Sequence, residues 1–131
     1  MTTNASFSRV EINGPGRNLL NPEVMAKLEA DLRAAGDDSS TTGIILTGAG
    51  SVFCGGLDVP AIKAGADPLP FYAALVSILK LIPTLPKPVV SVVNGDAVAS
   101  GGAFVAVSDY AVAVSDALIG SYEASVGVWP I

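Results

Sequence analysis

The residues best suited to chemistry lie in a glycine-rich segment, Ser100-Gly101-Gly102, which follows a β-branched run at 89–93. A strand that bends through glycines into a helix leaves backbone N–H groups unpaired at the start of the helix, where the helix dipole adds partial positive charge. Such a position can hold a phosphate or a developing oxyanion. The same residues also fit a strand-to-helix turn in which glycine serves packing alone. This segment by itself leaves both interpretations open.

A second glycine pair, Gly55-Gly56, follows another predicted strand and turn. Adjacent glycines let the backbone approach a ligand closely, and Leu57, directly after them, could present its N–H group. A loop that merely connects a strand to a helix is the more frequent explanation of such a pair. Asp58 and Asp96 are predicted to be capping or loop carboxylates, and Asp96 lies close in sequence to the bend before Ser100.

The composition limits the available chemistry, because the 131 residues contain no histidine and a single cysteine, Cys54. Ser-His-Asp and Cys-His arrangements and histidine-containing metal sites are therefore excluded. Proton transfer must fall to carboxylates, lysines or tyrosines, although Tyr72 and Tyr122 are predicted to be core residues. We find no base in the sequence that would activate Cys54, and no metal site is predicted.

The charge and hydropathy of the chain indicate its surroundings. A net charge of −5 argues against nucleic-acid binding. The first residues lack the basic and apolar regions of a signal peptide, and the longest apolar stretch is too short to span a bilayer, so a cytoplasmic location without membrane contact is predicted. Only 15% of residues are charged whereas 50% are hydrophobic, and the sequence ends on the apolar segment 128–131. We therefore expect a fragment, or one piece of a divided chain, whose apolar surface is covered by a continuation or a partner.

The periodicity of apolar residues predicts alternating strands and helices around a central strand at 89–93. Asn21 is expected to cap a helix at 22–35, and Gly36 is expected to end it. Asn94-Gly95 is expected to form a turn with left-handed backbone. The predicted elements are a strand at 7–12, a helix at 22–35, a strand at 44–46, a helix at 67–81, an extended connector at 83–88, the central strand at 89–93, a helix at 103–107, and strands at 110–114 and 118–120. This order predicts an α/β fold.

Three stretches taken together resemble the crotonase superfamily, the enoyl-CoA hydratase/isomerase family. They lie at 17–21, 47–59 and 87–130. The resemblance covers essentially the whole chain but only the N-terminal half of a family member. It implies an α/β fold of the crotonase/Clp type, a spiral of repeated ββα units that is incomplete in this chain. Residues 1–131 would then form the N-terminal part of a single crotonase-like domain, with the C-terminal helical part absent.

The resemblance also implies an acyl-CoA or enoyl-CoA substrate and assigns the site residues. The N–H groups of Leu57 and Ser100 would hold the thioester oxygen, and Glu123 would be the catalytic acid and base. The implied contacts to coenzyme A are Arg17, Leu19, Gly55, Leu57, Asp58 and Val59. No separate cofactor is expected, because the substrate itself carries coenzyme A. Family members usually assemble as trimers or pairs of trimers, so a homo-oligomer is expected.

One departure from the family bears on the reaction. Hydratases of the family carry a glutamate at the place that Ala103 occupies here, whereas their second glutamate falls on Glu123. Hydration needs a water held between two carboxylates, whereas a double-bond shift needs a single base that removes and returns a proton. The resemblance therefore favours an isomerase over a hydratase.

Two alternatives remain open from the sequence. Residues 99–102 also resemble the nucleophile segment of the signal-peptide-peptidase and Clp-type proteases. Ser100 would then be the nucleophile of a hydrolase and a lysine the base, and the candidates are Lys27, Lys63, Lys80 and Lys87. The second alternative is a non-catalytic subunit that keeps the fold for assembly, and the missing carboxylate at Ala103 is the feature that favours it.

Overall fold

The computed structural model describes residues 5–127 and Trp129. The elements follow one another as β1 (Phe7–Ile12), α1 (Pro15–Asn18), α2 (Pro22–Asp37), β2 (Gly43–Gly48), α3 (Val59–Lys63), α4 (Leu69–Leu81), a 3-10 turn (Ile82–Thr84), β3 (Val89–Val93), β4 (Ala97–Val98), α5 (Ser100–Val107), β5 (Tyr110–Ala113), β6 (Ile119–Gly120) and a second 3-10 turn (Glu123–Val126). The predicted alternation of strands and helices, and with it the α/β class, is confirmed.

Two parallel layers organise the described chain. The first is a sheet with strand order β1-β2-β3-β5, and every pair in it is parallel. The second is the parallel pair β4-β6, extended by single parallel bridges between Cys54 and Ala97 and between Leu20 and Leu57. After each strand of the first sheet the chain therefore reaches the second layer before it turns into a helix. This repetition is the spiral of ββα units that the family resemblance implies.

Helix α2 begins as its sequence predicts and ends later. Asn21 caps it, because its side-chain oxygen accepts a hydrogen bond from the Val24 N–H at 2.9 Å. Gly36 was expected to terminate the helix, but α2 continues through it to Asp37. A Cβ at Gly36 would lie 3.1 Å from the Leu85 side chain, so glycine serves the close approach of the connector after α4. The prediction that Gly36 ends the helix is therefore wrong, and a larger residue at this position would crowd the Leu85 side chain.

The turn after β3 also differs from its prediction. Neither Asn94 nor Gly95 has a positive φ. A Cβ at Gly95 would lie 2.0 Å from the Ser51 carbonyl oxygen, so glycine is needed there for close contact between two loops. The Asn94 side chain fixes the same contact, because its Nδ2 donates to the carbonyl oxygens of Gly48 and Gly50 at 3.0 and 2.9 Å.

The hydrophobic core lies between the first sheet and helices α2, α4 and α5. Its large, fully buried side chains include Phe53, Phe104, Leu46, Leu75 and Ile78. None of the described helices is both long enough and apolar enough to cross a membrane.

One side of the described chain leaves apolar side chains in contact with solvent. All four residues of β5 are exposed, and β5 is an edge strand of the first sheet. The large exposed side chains on β5 and after it are Tyr110, Val112, Val114, Leu118, Ile119, Tyr122, Val126 and Trp129. Many exposed apolar side chains beside an open sheet edge favour association with another polypeptide segment.

We therefore expect residues 1–131, expressed alone, to self-associate, because burial of these side chains removes apolar surface from water. Size-exclusion chromatography with light scattering should give polydisperse species, and addition of the polypeptide that covers this surface should disperse them. A monodisperse monomer that unfolds cooperatively would contradict this expectation.

Candidate active site

A mostly apolar pocket of about 440 Å³ lies beside the N-terminus of α5. Its walls come from the segment after β2, from α3 and α4, from the start of α5 and from the last described residues. The lining residues are Gly55, Leu57, Val59, Ile62, Lys63, Tyr72, Val98, Ala99, Ser100, Tyr122, Glu123, Val126 and Trp129. The pocket thus brings together Leu57, Ser100 and Glu123, which are far apart in sequence.

The segment before Leu57 is held tightly against its neighbours. Cys54 is completely buried, and its carbonyl oxygen accepts a hydrogen bond from the Val98 N–H at 3.0 Å. Gly55 donates its N–H to the Arg17 carbonyl oxygen at 2.9 Å. Gly56 has a φ of +92°, which disfavours any other residue, and its carbonyl oxygen accepts from the Leu20 N–H. These bonds fix the backbone that presents Leu57 to the pocket.

The bend before α5 is equally constrained. Ala99 precedes the helix with a φ of +53°, a conformation that a residue with a side chain rarely adopts and that costs about 1–3 kcal/mol. A Cβ at Gly101 would lie 2.4 Å from the Cys54 carbonyl oxygen, so α5 could not pack at this distance with a larger residue there. The positive φ expected at 94–95 is found instead at Ala99, directly before Ser100.

The two glycine-containing segments meet at the backbone of Ser100. A Cβ built on Gly56 would lie 3.6 Å from the Ser100 nitrogen and 2.9 Å from the Ala99 Cβ. Within residues 5–127 and Trp129, neither the Leu57 N–H nor the Ser100 N–H donates a hydrogen bond to a protein acceptor. The Ser100 N–H is one of the unpaired groups at the start of α5. Two such donors beside one pocket can stabilise an oxygen that gains negative charge.

Glu123 begins the second 3-10 turn and lines the same pocket, where its side chain is partly exposed. Its Oε2 accepts a hydrogen bond from the Ser121 hydroxyl at 2.5 Å. Among the residues that line this pocket, Glu123 is the sole carboxylate and Lys63 the sole side chain with positive charge. A partly solvated carboxylate in an apolar pocket is a suitable group for moving a proton.

The residues predicted to contact coenzyme A divide into two groups. Gly55, Leu57 and Val59 line the pocket, whereas Arg17, Leu19 and Asp58 do not. The last three have structural contacts in the described chain. Arg17 forms an ion pair with Asp96. The Leu19 side chain packs close to Gly55, where a Cβ would lie 3.1 Å from it. Asp58 caps α3 by accepting a hydrogen bond from the Ala61 N–H at 3.0 Å. The capping role predicted for Asp58 is confirmed.

The prediction that Tyr72 and Tyr122 belong to the core is wrong. Both side chains line the pocket, with 37% and 47% of their surfaces exposed. Sequence reasoning also missed Ile62, Val98, Ala99, Val126 and Trp129 as pocket residues, and it named Lys63 only as a possible base of a hydrolase. Helical spacing from Val59 could have identified Ile62 and Lys63, since residues three and four apart share a helix face. Tyr72, Val126 and Trp129 come from separate elements and carry no local signal.

The side chains available for other chemistry are unsuited to it. Burial raises the pKa of the Cys54 thiol to about 12, so a thiolate nucleophile is disfavoured. No lysine in the described chain donates a hydrogen bond to the Ser100 hydroxyl, although Lys63 lines the same pocket. In residues 5–127 and Trp129, no three of the candidate ligand side chains are grouped in a way that could hold a metal ion.

Comparison with known proteins agrees with this architecture. A family profile described as Enoyl-CoA hydratase/isomerase matches residues 2–131. The chain is 36% identical over 93 residues to a probable enoyl-CoA hydratase from Mycobacterium bovis, a match that covers 70% of this chain and 37% of that protein. The chain spans well under half the length of this curated relative.

Solved structures give the same result. A crystal structure of an enoyl-CoA hydratase from Polaromonas matches with a TM-score of 0.88 and 29% identity, over 99% of this chain and 53% of that chain. An enoyl-CoA hydratase from Thermoplasma volcanium matches with a TM-score of 0.84 and 30% identity, over 95% of this chain and 51% of that chain. The fold is therefore the crotonase-type α/β spiral, of which this chain provides about half the length of these structures. Because the family profile matches all but the first residue, the chain belongs to the enoyl-CoA hydratase/isomerase family.

Proposed function

We propose that the complete protein is an acyl-CoA enzyme that stabilises a thioester enolate between the N–H groups of Leu57 and Ser100. Glu123 removes a proton from the carbon next to the thioester carbonyl and returns it two carbons further along the acyl chain. The double bond then moves from the 3 to the 2 position. The observation that carries this proposal is the single pocket that holds both unpaired N–H groups and one carboxylate.

The electrostatics of the pocket support this assignment of roles. Negative charge develops on the thioester oxygen when the neighbouring proton leaves, and two backbone donors stabilise that charge without having to reorient. The start of α5 adds the positive end of its helix dipole at the same place. The mostly apolar walls reduce screening by water, which strengthens both contributions.

The preference for a double-bond shift rests on Ala103. This residue is in the first turns of α5, and it contributes a methyl group where a hydratase of the family would carry a carboxylate. Glu123 alone can take and return a proton, whereas the addition of water needs a second group that activates or holds the water. The carboxylate missing at Ala103 therefore favours the isomerase over the hydratase.

The hydrolase alternative has one supporting observation, the presence of Lys63 and Ser100 in the same pocket. It requires the Ser100 hydroxyl as nucleophile and Lys63 as base, whereas the proposed reaction needs only the Ser100 backbone. Labelling with a fluorophosphonate probe distinguishes the two, because only a nucleophilic Ser100 becomes modified. The non-catalytic alternative, a subunit that keeps the fold for assembly, predicts no turnover of acyl-CoA.

Offered 3-enoyl-CoA and 2-enoyl-CoA separately, the complete protein should convert the first into its 2-enoyl isomer and hydrate the second slowly. The reason is that one carboxylate supports proton transfer but not activation of water. Chromatography of the CoA products measures both reactions. Rapid hydration would contradict the isomerase assignment, and binding of both compounds without product would favour the non-catalytic subunit. The homo-oligomeric state and the cytoplasmic location stay predictions.

A further inference from the structure

Asp96 joins separate segments around the pocket, although it does not line the pocket itself. Its Oδ2 accepts from Arg17 Nη2 at 2.8 Å, and its Oδ1 accepts from the Leu118 N–H at 3.0 Å. Its backbone carbonyl oxygen accepts from the N–H groups of Phe53 and Cys54, each at 3.1 Å. One residue therefore contacts the turn at Arg17, the segment leading to Leu57 and the segment leading to Glu123.

Two of these contacts reach segments that lead to groups in the pocket, and Asp96 itself precedes a third such group. Cys54 lies three residues before Leu57, and Asp96 lies four residues before Ser100. Leu118 begins the run into β6, and Glu123 follows five residues later. Bonds across the second layer also hold the run, because the Ala97 N–H donates to the Leu118 carbonyl oxygen at 2.9 Å and the Ala99 N–H to the Gly120 carbonyl oxygen at 2.8 Å. The Leu118 N–H itself is bound by the Asp96 carboxylate alone.

The Asp96 carboxylate is kept in its ionised form. The hydrogen bond from the Leu118 N–H is the main reason that its pKa lies below the usual value, and Arg17 adds to the effect against the opposing effect of desolvation. The Arg17 guanidinium also restricts the carboxylate to one orientation, because two different donors bind its two oxygens. An ionised, oriented carboxylate is a firm attachment point for the Leu118 backbone.

We propose that Asp96 is a positioning residue for the reaction proposed above: by binding the Leu118 N–H, its carboxylate sets the position of Glu123 relative to the N–H groups of Leu57 and Ser100. This inference rests on the proposed function for its effect on turnover. The structural part of it, that Asp96 holds the segment from Leu118 to Glu123, does not depend on the reaction. Proton transfer is sensitive to small displacements of the base, so a loosened segment reduces turnover more than binding.

The first comparison is Asp96→Ala against the matched control Asp116→Ala in the complete protein. Asp116 is an exposed carboxylate two residues before Leu118, and it makes no hydrogen bond or ion pair within the described residues. Asp96→Ala should lower kcat on the order of 100-fold and change KM less than about threefold. The control should leave both constants as in the wild type. Equal kinetics of the two variants would overturn the proposal.

Two conservative variants separate the effect of the position of the accepting oxygen from the effect of the negative charge at residue 96. They also serve as the test if Asp96→Ala does not fold. Asp96→Asn removes the charge but retains an oxygen that can accept from the Leu118 N–H. Asp96→Glu retains the charge but carries the acceptor on a longer side chain, away from Leu118. A positioning role predicts that kcat is higher in Asp96→Asn than in Asp96→Glu. The opposite order would show that the charge itself matters and would overturn the proposal.

Hydrogen exchange of the backbone amides provides the readout that is independent of turnover. The Leu118 amide should exchange on the order of tenfold faster in Asp96→Ala than in the wild type or in Asp116→Ala, because its acceptor is gone. Unchanged exchange at 118–123 would overturn the proposal even if kcat fell. If the wild type turns over neither enoyl-CoA, the proposed function fails, and the exchange rates alone decide whether Asp96 holds this segment.

Discussion

Glu123→Gln is expected to reduce double-bond migration by on the order of 100-fold to 10,000-fold while acyl-CoA binding stays nearly unchanged. The amide has almost the shape of the carboxylate. Its oxygen can still accept the hydrogen bond that the Ser121 hydroxyl donates to Glu123 Oε2 in the wild type. It cannot take up the substrate proton at neutral pH. The loss should therefore fall on kcat and not on KM, provided that the pocket is otherwise intact.

The matched control for this variant is Ser121→Ala, which removes the hydroxyl from Oε2 and leaves the carboxylate in place. It should cost far less turnover than Glu123→Gln. Calorimetric titration with a saturated acyl-CoA measures binding, and product analysis with 3-enoyl-CoA measures the reaction. If migration survives Glu123→Gln, another group moves the proton and the assignment of Glu123 is wrong.

Substitution of Ala103 by glutamate in the same experiment should raise hydration if a second carboxylate is what the site lacks.

Local sequence signals predicted the elements that carry the site well. The β-branched run gives β3, the cap at Asn21 gives the start of α2, and the glycines before Leu57 and after Ser100 mark the places where two segments approach closely. Each of these features depends on residues within a few positions of one another. Short-range stereochemistry is therefore enough to find them.

The predictions failed where packing between distant segments decides the outcome. From local sequence, Gly36 and Gly95 predict a helix end and a turn. In the fold, a Cβ at Gly95 would clash with the Ser51 carbonyl oxygen and a Cβ at Gly36 would crowd the Leu85 side chain. Tyr72 on α4 lines the pocket together with residues of the segment after β2. The Arg17–Asp96 pair joins residues 79 positions apart. A single sequence contains no local pattern for such contacts.

The short α3 and the two-residue strand β4 were too brief for periodicity to reveal, whereas β6 falls within the strand predicted at 118–120. They matter nevertheless, because β4 and β6 form the second layer on which the start of α5 and the run to Glu123 both depend. The spiral itself was predicted from the resemblance to the crotonase superfamily. The strands in the first sheet alone indicate only a parallel α/β arrangement.

Ser100→Pro is expected to lower turnover on the order of 100-fold or more, whereas Ser100→Ala should keep most of the activity. Proline lacks the backbone N–H that we assign to the thioester oxygen, whereas alanine retains it. The hydrolase alternative predicts that Ser100→Ala is inactive, because it removes the nucleophile. Kinetics of both variants with 3-enoyl-CoA therefore distinguish a backbone role from a side-chain role.

Proline also changes the bend, so a second comparison must isolate the N–H group. The residue before a proline is driven towards extended backbone with negative φ, whereas Ala99 has a φ of +53°. Lactic acid at position 100 replaces the N–H by an ester oxygen without a ring, and Ser100→Ala differs from it in that one group. If the backbone donor stabilises the enolate, the ester should lose on the order of 100-fold in kcat relative to Ser100→Ala, with acyl-CoA binding little changed. Equal activity of the ester and the alanine variant would show that the thioester oxygen is not held by the Ser100 N–H.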